Sequence, residues 1–201
     1  TSSNGAGLGL SPQQVDYTYY YGALKSQMIE FTTLAQLQSL IIAQPANTHE
    51  LYLYAGASPF VIDQTTSSPV LSIPATKQVS IFVPANLEII NSHGTSTPVV
   101  TEVAEGGFLG VFVAGNAVIN ASVGYTDHTL DRLTTPANLS MVLVADGQII
   151  VGGDGDNNLT DRIFIAEGSY VAWDKSQVGN GIVLHRNLDN EVEGKTLNSL
   201  Y

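Results

Sequence analysis

Three segments decide how this chain is read: Ile81-Phe82-Val83-Pro84-Ala85-Asn86-Leu87-Glu88-Ile89-Ile90, Val111-Phe112-Val113-Ala114-Gly115-Asn116-Ala117-Val118-Ile119-Asn120 and Val142-Leu143-Val144-Ala145-Asp146-Gly147-Gln148-Ile149-Ile150-Val151. Each is an apolar triplet, a few small or turn-forming residues, and a second apolar run. Asp146-Gly147 fits a two-residue type I′ turn, which needs positive φ at both central positions. Gly115-Asn116 suits the same turn, and Pro84-Ala85-Asn86 a slightly longer one. The pattern predicts a compact all-β body made of hairpins.

Working outward, Glu50 onward reads as short strands and turns. The expected strands are 50–55, 59–63, 69–73, 78–83, 87–91, 98–103, 108–113, 117–123, 140–145, 148–152, 162–166, 169–173 and 181–186. Short strands at near-regular spacing predict a two-sheet sandwich or a jelly-roll-like body. Ile81-Phe82-Val83 and Val111-Phe112-Val113 are apolar on both faces and are expected to be covered on both sides. Leu51-Tyr52-Leu53-Tyr54 alternates, as a half-exposed strand does. One short N-terminal helix is predicted over 33–44. Thr33 and Gln36 match a capping box, Leu34, Leu37, Leu40 and Ile41 form one apolar stripe, and Pro45 stops the helix. Its expected place is over an open end or face of the β body.

The termini read as extended arms, residues 1–14 and 187–201, flanking a body of 15–186. Residues 1–14 carry almost no large side chain and cannot offset their own ordering entropy, so a partner subunit is expected to order them. Tyr17, Tyr19, Tyr20 and Tyr21 form either an edge strand docked on the body or an interface anchor, since Tyr gives large contact area at low entropic cost. Leu197, Leu200 and Tyr201 at the other end read as docking residues.

Composition limits function. Of 201 residues 44% are hydrophobic, enough for a real core, and only 12% are charged, about half the usual share. The net charge is −11 with seven Lys and Arg, which argues against a nucleic acid or an anionic membrane as partner. Without cysteine, disulfides and thiolate metal sites are excluded. The N-terminus lacks the basic and apolar regions of a signal peptide, and no stretch is long and apolar enough to span a bilayer.

Chemistry is sparse. Asp154, Asp156, Asn158 and Asp161 on a Gly-rich turn set oxygen ligands at spacings that begin like a calcium loop. The Gly expected after Asn158 is Leu159 and the twelfth loop position is Ile165, so weak calcium binding at most is expected beside the alternative of an ordinary polar turn. His128, between Asp127 and Asp131, reads as a solvated loop. There is no Gly-x-Ser-x-Gly elbow and no assignable acid–base pair, so no catalytic residue and no enzyme activity are expected.

The Gly-Ser N-terminal arm (Thr1 to Ser11), sparse charge, absence of cysteine and Ser/Thr-rich hairpins running to the C-terminus together resemble minor structural proteins of tailed-phage particles, closest to capsid decoration or cement proteins. The resemblance implies a non-enzymatic virion protein, homo-oligomeric, partnered by the major capsid protein and neighbouring copies of itself, that stabilises the shell by bridging subunits. The alternative is a carbohydrate- or host-receptor-binding β-sandwich, such as an adhesin or a tail or fibre protein.

Overall fold

The structure is a computed structural model and describes residues 16–45, 48–56, 58–65, 70–94, 98–127, 129–131, 133–153, 161–173 and 181–186. The chain enters through α1 (Tyr17–Leu24), a 3-10 turn at Lys25–Gln27, β1 (Ile29–Phe31) and α2 (Leu34–Ala43). The strands that follow are β2 (Glu50–Ala55), β3 (Phe60–Gln64), β4 (Leu71–Ile73), β5 (Gln78–Val83), β6 (Leu87–Asn91), β7 (Thr101–Val103), β8 (Phe108–Val113), β9 (Ala117–Ile119), β10 (Leu139–Ala145), β11 (Ile149–Val151), β12 (Ala166–Ala172) and β13 (Ile182–Leu184).

Among the described residues all the strand pairs are parallel. The first sheet runs β1-β2-β5-β8-β10-β12, the second β13-β11-β9-β6-β3, and β4 and β7 make a third. From β2 onward successive strands along the chain therefore belong to different sheets, and the strands of each sheet stack one circuit after another. This is a β-solenoid, and it corrects the sandwich or jelly roll expected from the sequence. The partners Glu50↔Gln78, Gln78↔Phe108, Gly110↔Val142 and Leu139↔Ala166 lie 28, 30, 32 and 27 residues apart, which sets the length of one coil.

The three opening segments are thus copies of one corner, stacked in register, and not hairpins. β5 and β6, β8 and β9, and β10 and β11 are each joined by a short turn that carries the chain from the first sheet to the second. Asp146-Gly147 closes no hairpin, and among the described residues the positive-φ glycines are Gly94, Gly106, Gly124 and Gly168, not Gly147. A different constraint acts at this corner. The Asn116 amide N–H donates to Asn86 Oδ1 (2.9 Å) and the Gln148 amide to Asn116 Oδ1 (2.9 Å), so asparagine side chains bridge one coil to the next. A Cβ on Gly147 would collide with Asn116 Oδ1 and stand 2.9 Å from the Gly115 carbonyl. Gly147→Val is therefore expected to destabilise the protein by about 2 kcal/mol through overpacking, read as a lower urea midpoint. Asn116→Ala in the same background should relieve part of the loss.

Inward residues alternate with outward ones along each strand, as the period of two demands. Leu53, Ile81, Val111 and Leu143 of the first sheet and Ile62, Ile89, Ile119 and Ile149 of the second belong to one buried core. The alternation Leu51-Tyr52-Leu53-Tyr54 is borne out, with both leucines buried and both tyrosines partly exposed. The third flank continues past β7 through backbone bonds: Leu71 donates to the Val100 carbonyl, Val100 to Asn138 and Asn138 to Ile165. Asn138 is fully buried; its Nδ2 donates to the Pro98 carbonyl and its Oδ1 accepts from the Ile165 amide.

The predicted helix is present as α2, with Leu37 and Ile41 completely buried. Half of its capping box is as expected, since Thr33 Oγ1 accepts from the Gln36 amide (3.2 Å). The other half is displaced by one residue: Gln36 Oε1 accepts from the amide and hydroxyl of Thr32. The helix packs on β3 and β4 and closes the N-terminal end of the core. Gln38 exchanges hydrogen bonds with the backbone of Ser72 in β4, and buried Lys77 donates to the carbonyls of Gln44, Pro45 and Thr48 just past the helix end. Those carbonyls lack helical partners, so the ammonium acts as a C-terminal cap.

Candidate functional site

The four tyrosines form neither strand nor edge. They lie on α1, a second helix that the sequence reading missed. Asp16 caps it by accepting from the Tyr19 amide (2.9 Å), and the buried Tyr17 amide donates to Asp146 Oδ1 (3.1 Å) at the corner between β10 and β11. Register aligns Tyr54, Phe82, Phe112, Val144 and Val171 into one outward column on the first sheet. Helix α1 lies over it. Tyr21 meets Tyr54 (centroids 5.4 Å), Tyr17 stands edge-on to Phe82 (6.1 Å) and Tyr20 tilts onto Phe112 (5.2 Å). Tyr17, Tyr20 and Tyr21 thus contact their own sheet, while Tyr19 is 46% exposed. This cover explains why Phe82 faces outward and is still fully buried, as expected for a strand covered on both sides.

Burial, and then the neighbouring Tyr54, Tyr21 and Asp146, push the Tyr17 hydroxyl well above the ordinary tyrosine range. The same hydroxyl is buried without a hydrogen-bond partner. A raised pKa in the folded state means that this stability is fully present below the unfolded value of about 10 and is lost as pH climbs beyond it. Tyr17→Phe should therefore leave the melting temperature at pH 7 equal or higher, because it removes an unsatisfied polar atom. It should also flatten the fall in stability above pH 10.

The acidic turn is described only in part. Asp154, Asp156 and Asn158 lie outside the described residues, as do His128, residues 1–14, Leu197, Leu200 and Tyr201. Asp161 is described and buried, with its Oδ2 close to Gly153. Among the described residues no group of three or more His, Cys, Asp or Glu is placed to hold a metal ion. Asp127 and Asp131 cap local turns by accepting from the amides of Thr129 and Leu133.

Beside Asp161 stands Arg186, which the sequence reading did not single out. Its guanidinium donates to the carbonyls of Gly152 (3.0 Å), Arg162 (2.7 Å), Asn120 (3.1 Å) and Val123 (2.7 Å) and lies over the Phe164 ring. Burial pulls its pKa down to about 10, against an opposing pull from Asp161, so it stays charged at neutral pH. The planar fork of donors ties together backbone from three successive circuits.

Two surfaces remain. On the outer face of the second sheet, Val61, Glu88, Val118, Ile150 and Val183 align in register and are all partly exposed. At the C-terminal end, Ile182 and Leu184 occupy core-facing positions opposite Ile149 and Val151, yet are 45% and 54% exposed. On the last strand of the first sheet and just past it, Val171 and Trp173 are 40% and 46% exposed. The chain matches no protein-family model, no curated protein and no solved structure. A lone apolar column at a spacing near thirty residues was the available signal for the first. The second follows only once the strands are assigned to coils.

Proposed function

We propose that the chain is a non-enzymatic structural protein of a virion, of the capsid decoration or cement type, which docks on the shell and bridges neighbouring subunits. The observation that carries this reading is the flank of the second sheet, where four β-branched side chains and one carboxylate form a flat lane along the solenoid. Parallel coils bonded through every strand make a stiff support, and a stiff support loses little entropy on docking. A chain with only 12% charged residues presents a surface that opposes burial less than an ordinary one. Binding only to the assembled shell stabilises that shell by mass action.

The test is proteomics and immunogold labelling of purified particles from the source of the gene, followed by rebinding of the purified chain to stripped shells. Rebinding should be lost in Val118→Asp/Ile150→Asp while the melting temperature holds. Absence from particles overturns the reading. A second reading, recognition of a carbohydrate or receptor, is favoured by the exposed rings of Tyr19, Phe108 and Trp173, which offer stacking faces. Retention on immobilised glycans, lost on Trp173→Ala, would support it instead.

A further inference from the structure

We propose that the Phe108 ring is a stacking platform for a neutral saccharide chain, which lies across the coils of the first sheet and is held by Gln78 and Glu50. The proposal rests on the saccharide reading given above and is independent of the shell-docking flank, which lies on the second sheet.

The platform is built by the register. On the outer face of the first sheet Glu50, Gln78 and Phe108 follow one another, coil by coil, in one column. Tyr52, Ser80, Gly110 and Val142 form the next column. The Phe108 ring leans over Gly110: a Cβ there would lie 2.9 Å from Phe108 Cε1 and 3.2 Å from Phe112 Cε2. Phe112 is in turn stacked on Phe82 and covered by Tyr20. Phe108 is thus backed by a glycine and a packed aromatic pair, and it remains 38% exposed. A ring fixed before binding loses little entropy when a ligand settles on it.

The neighbours name the ligand. Adjacent coils set side chains about 4.8 Å apart, so Gln78 stands one coil and Glu50 two coils from the ring. Both are exposed, and the Tyr52 hydroxyl donates to Glu50 Oε2 (2.8 Å), which orients the carboxylate. A sugar ring has an apolar C–H face and a rim of hydroxyls. The face suits an aromatic ring, and the hydroxyls suit an amide that donates and accepts beside a carboxylate that accepts. Strands β2, β5 and β8 contain no Lys or Arg and the chain carries −11, so an acidic sugar or another polyanion finds no counter-charge here. One ring among polar side chains also falls far short of the roughly 800 Å² per partner that a stable protein interface buries. A column that repeats from coil to coil suits an extended chain of sugars better than a single one.

The test is binding of the full chain to immobilised hexasaccharides of glucose, galactose, mannose and N-acetylglucosamine, with hexagalacturonate as the acidic comparator. At least one neutral hexasaccharide should be retained and hexagalacturonate should not. Phe108→Leu keeps apolar bulk but removes the aromatic face, so it should hold the native melting temperature and weaken binding at least about tenfold. Gly110→Ala should weaken binding with Phe108 still present, because the new methyl displaces the ring. Gln78→Ala should weaken it severalfold, while Trp173→Ala and Val118→Asp/Ile150→Asp leave it unchanged. Binding that is indifferent to Phe108→Leu and lost on Trp173→Ala overturns this proposal and leaves the saccharide reading standing. Retention of none of the neutral hexasaccharides overturns both. Tighter binding of hexagalacturonate than of any neutral member also overturns the proposal, because the charge argument would then be wrong.

Discussion

Arg186→Met is expected to destabilise the protein by about 3 kcal/mol or more, by leaving buried carbonyls without donors. Four carbonyls share this one guanidinium, at Asn120, Val123, Gly152 and Arg162. Methionine fills much of the same volume, so the loss reports the hydrogen bonds and not a cavity. Arg186→Lys should recover less than half of it, since one ammonium cannot reach four acceptors spread over a planar fork. The damage should be local. Amides of β13 and of the Tyr125–Ile163 bridge should lose exchange protection, while β2 and β5 keep theirs. Full rescue by lysine would show that charge alone matters and that the fork geometry does not.

Phe82→Ala is the second large effect, about 4 kcal/mol, because it opens a cavity beneath α1. The ring is completely buried, stacked on Phe112 (5.0 Å, 12°) and edge-on to Tyr17. For a chain of this size the melting temperature should fall by about 10 °C. The near-ultraviolet tyrosine signal should weaken with it, since Tyr17 loses its partner. Ser80→Ala, on the same strand and outer face, should change neither. An unshifted melt with an intact tyrosine signal would mean that α1 does not rest on this column.

Local structure was far more legible than pairing. The bounds of β2, β5, β6 and β8 agree with the apolar runs in the sequence, because alternation and strand length are properties of a single segment. The direction of pairing is not. A run such as Val142–Val144 looks the same whether its neighbour arrives through a hairpin or one circuit later. The recurrence of strand–turn–strand units every 30 or so residues was present in the opening segments, and a fixed period of that length is a mark of stacked repeats. Asp146-Gly147 drew the reading toward hairpins instead. In the structure, Gly147 answers to the close approach of Asn116 and Asp146 anchors the Tyr17 amide. Tyrosine-rich 17–21 read as strand because aromatic residues favour strands. The Asp16 cap and the aromatic column beneath override that propensity, and the column exists only once the coils are stacked. The expected strand 162–166 does not form: that stretch holds a single antiparallel bridge at Ile163, while the expected strand 169–173 is present as β12, which begins at Ala166. Arg186 was hidden for the same reason as that column, since its four acceptors come from residues 24 to 66 positions away.

The stacking of parallel coils underlies both interaction surfaces, and the cysteine-free chain allows a clean test of it. Val118 and Ile150 are register partners on adjacent coils and both face outward. Val144 and Ile149 would be cross-strand neighbours in a hairpin closed by Asp146-Gly147. In the solenoid they lie on different sheets, one facing out and one buried. Under mild oxidation, Val118→Cys/Ile150→Cys should form an intramolecular disulfide with the fold intact, and Val144→Cys/Ile149→Cys should stay reduced. The opposite outcome, a ready bridge between 144 and 149 and none between 118 and 150, would contradict the solenoid and every surface derived from it.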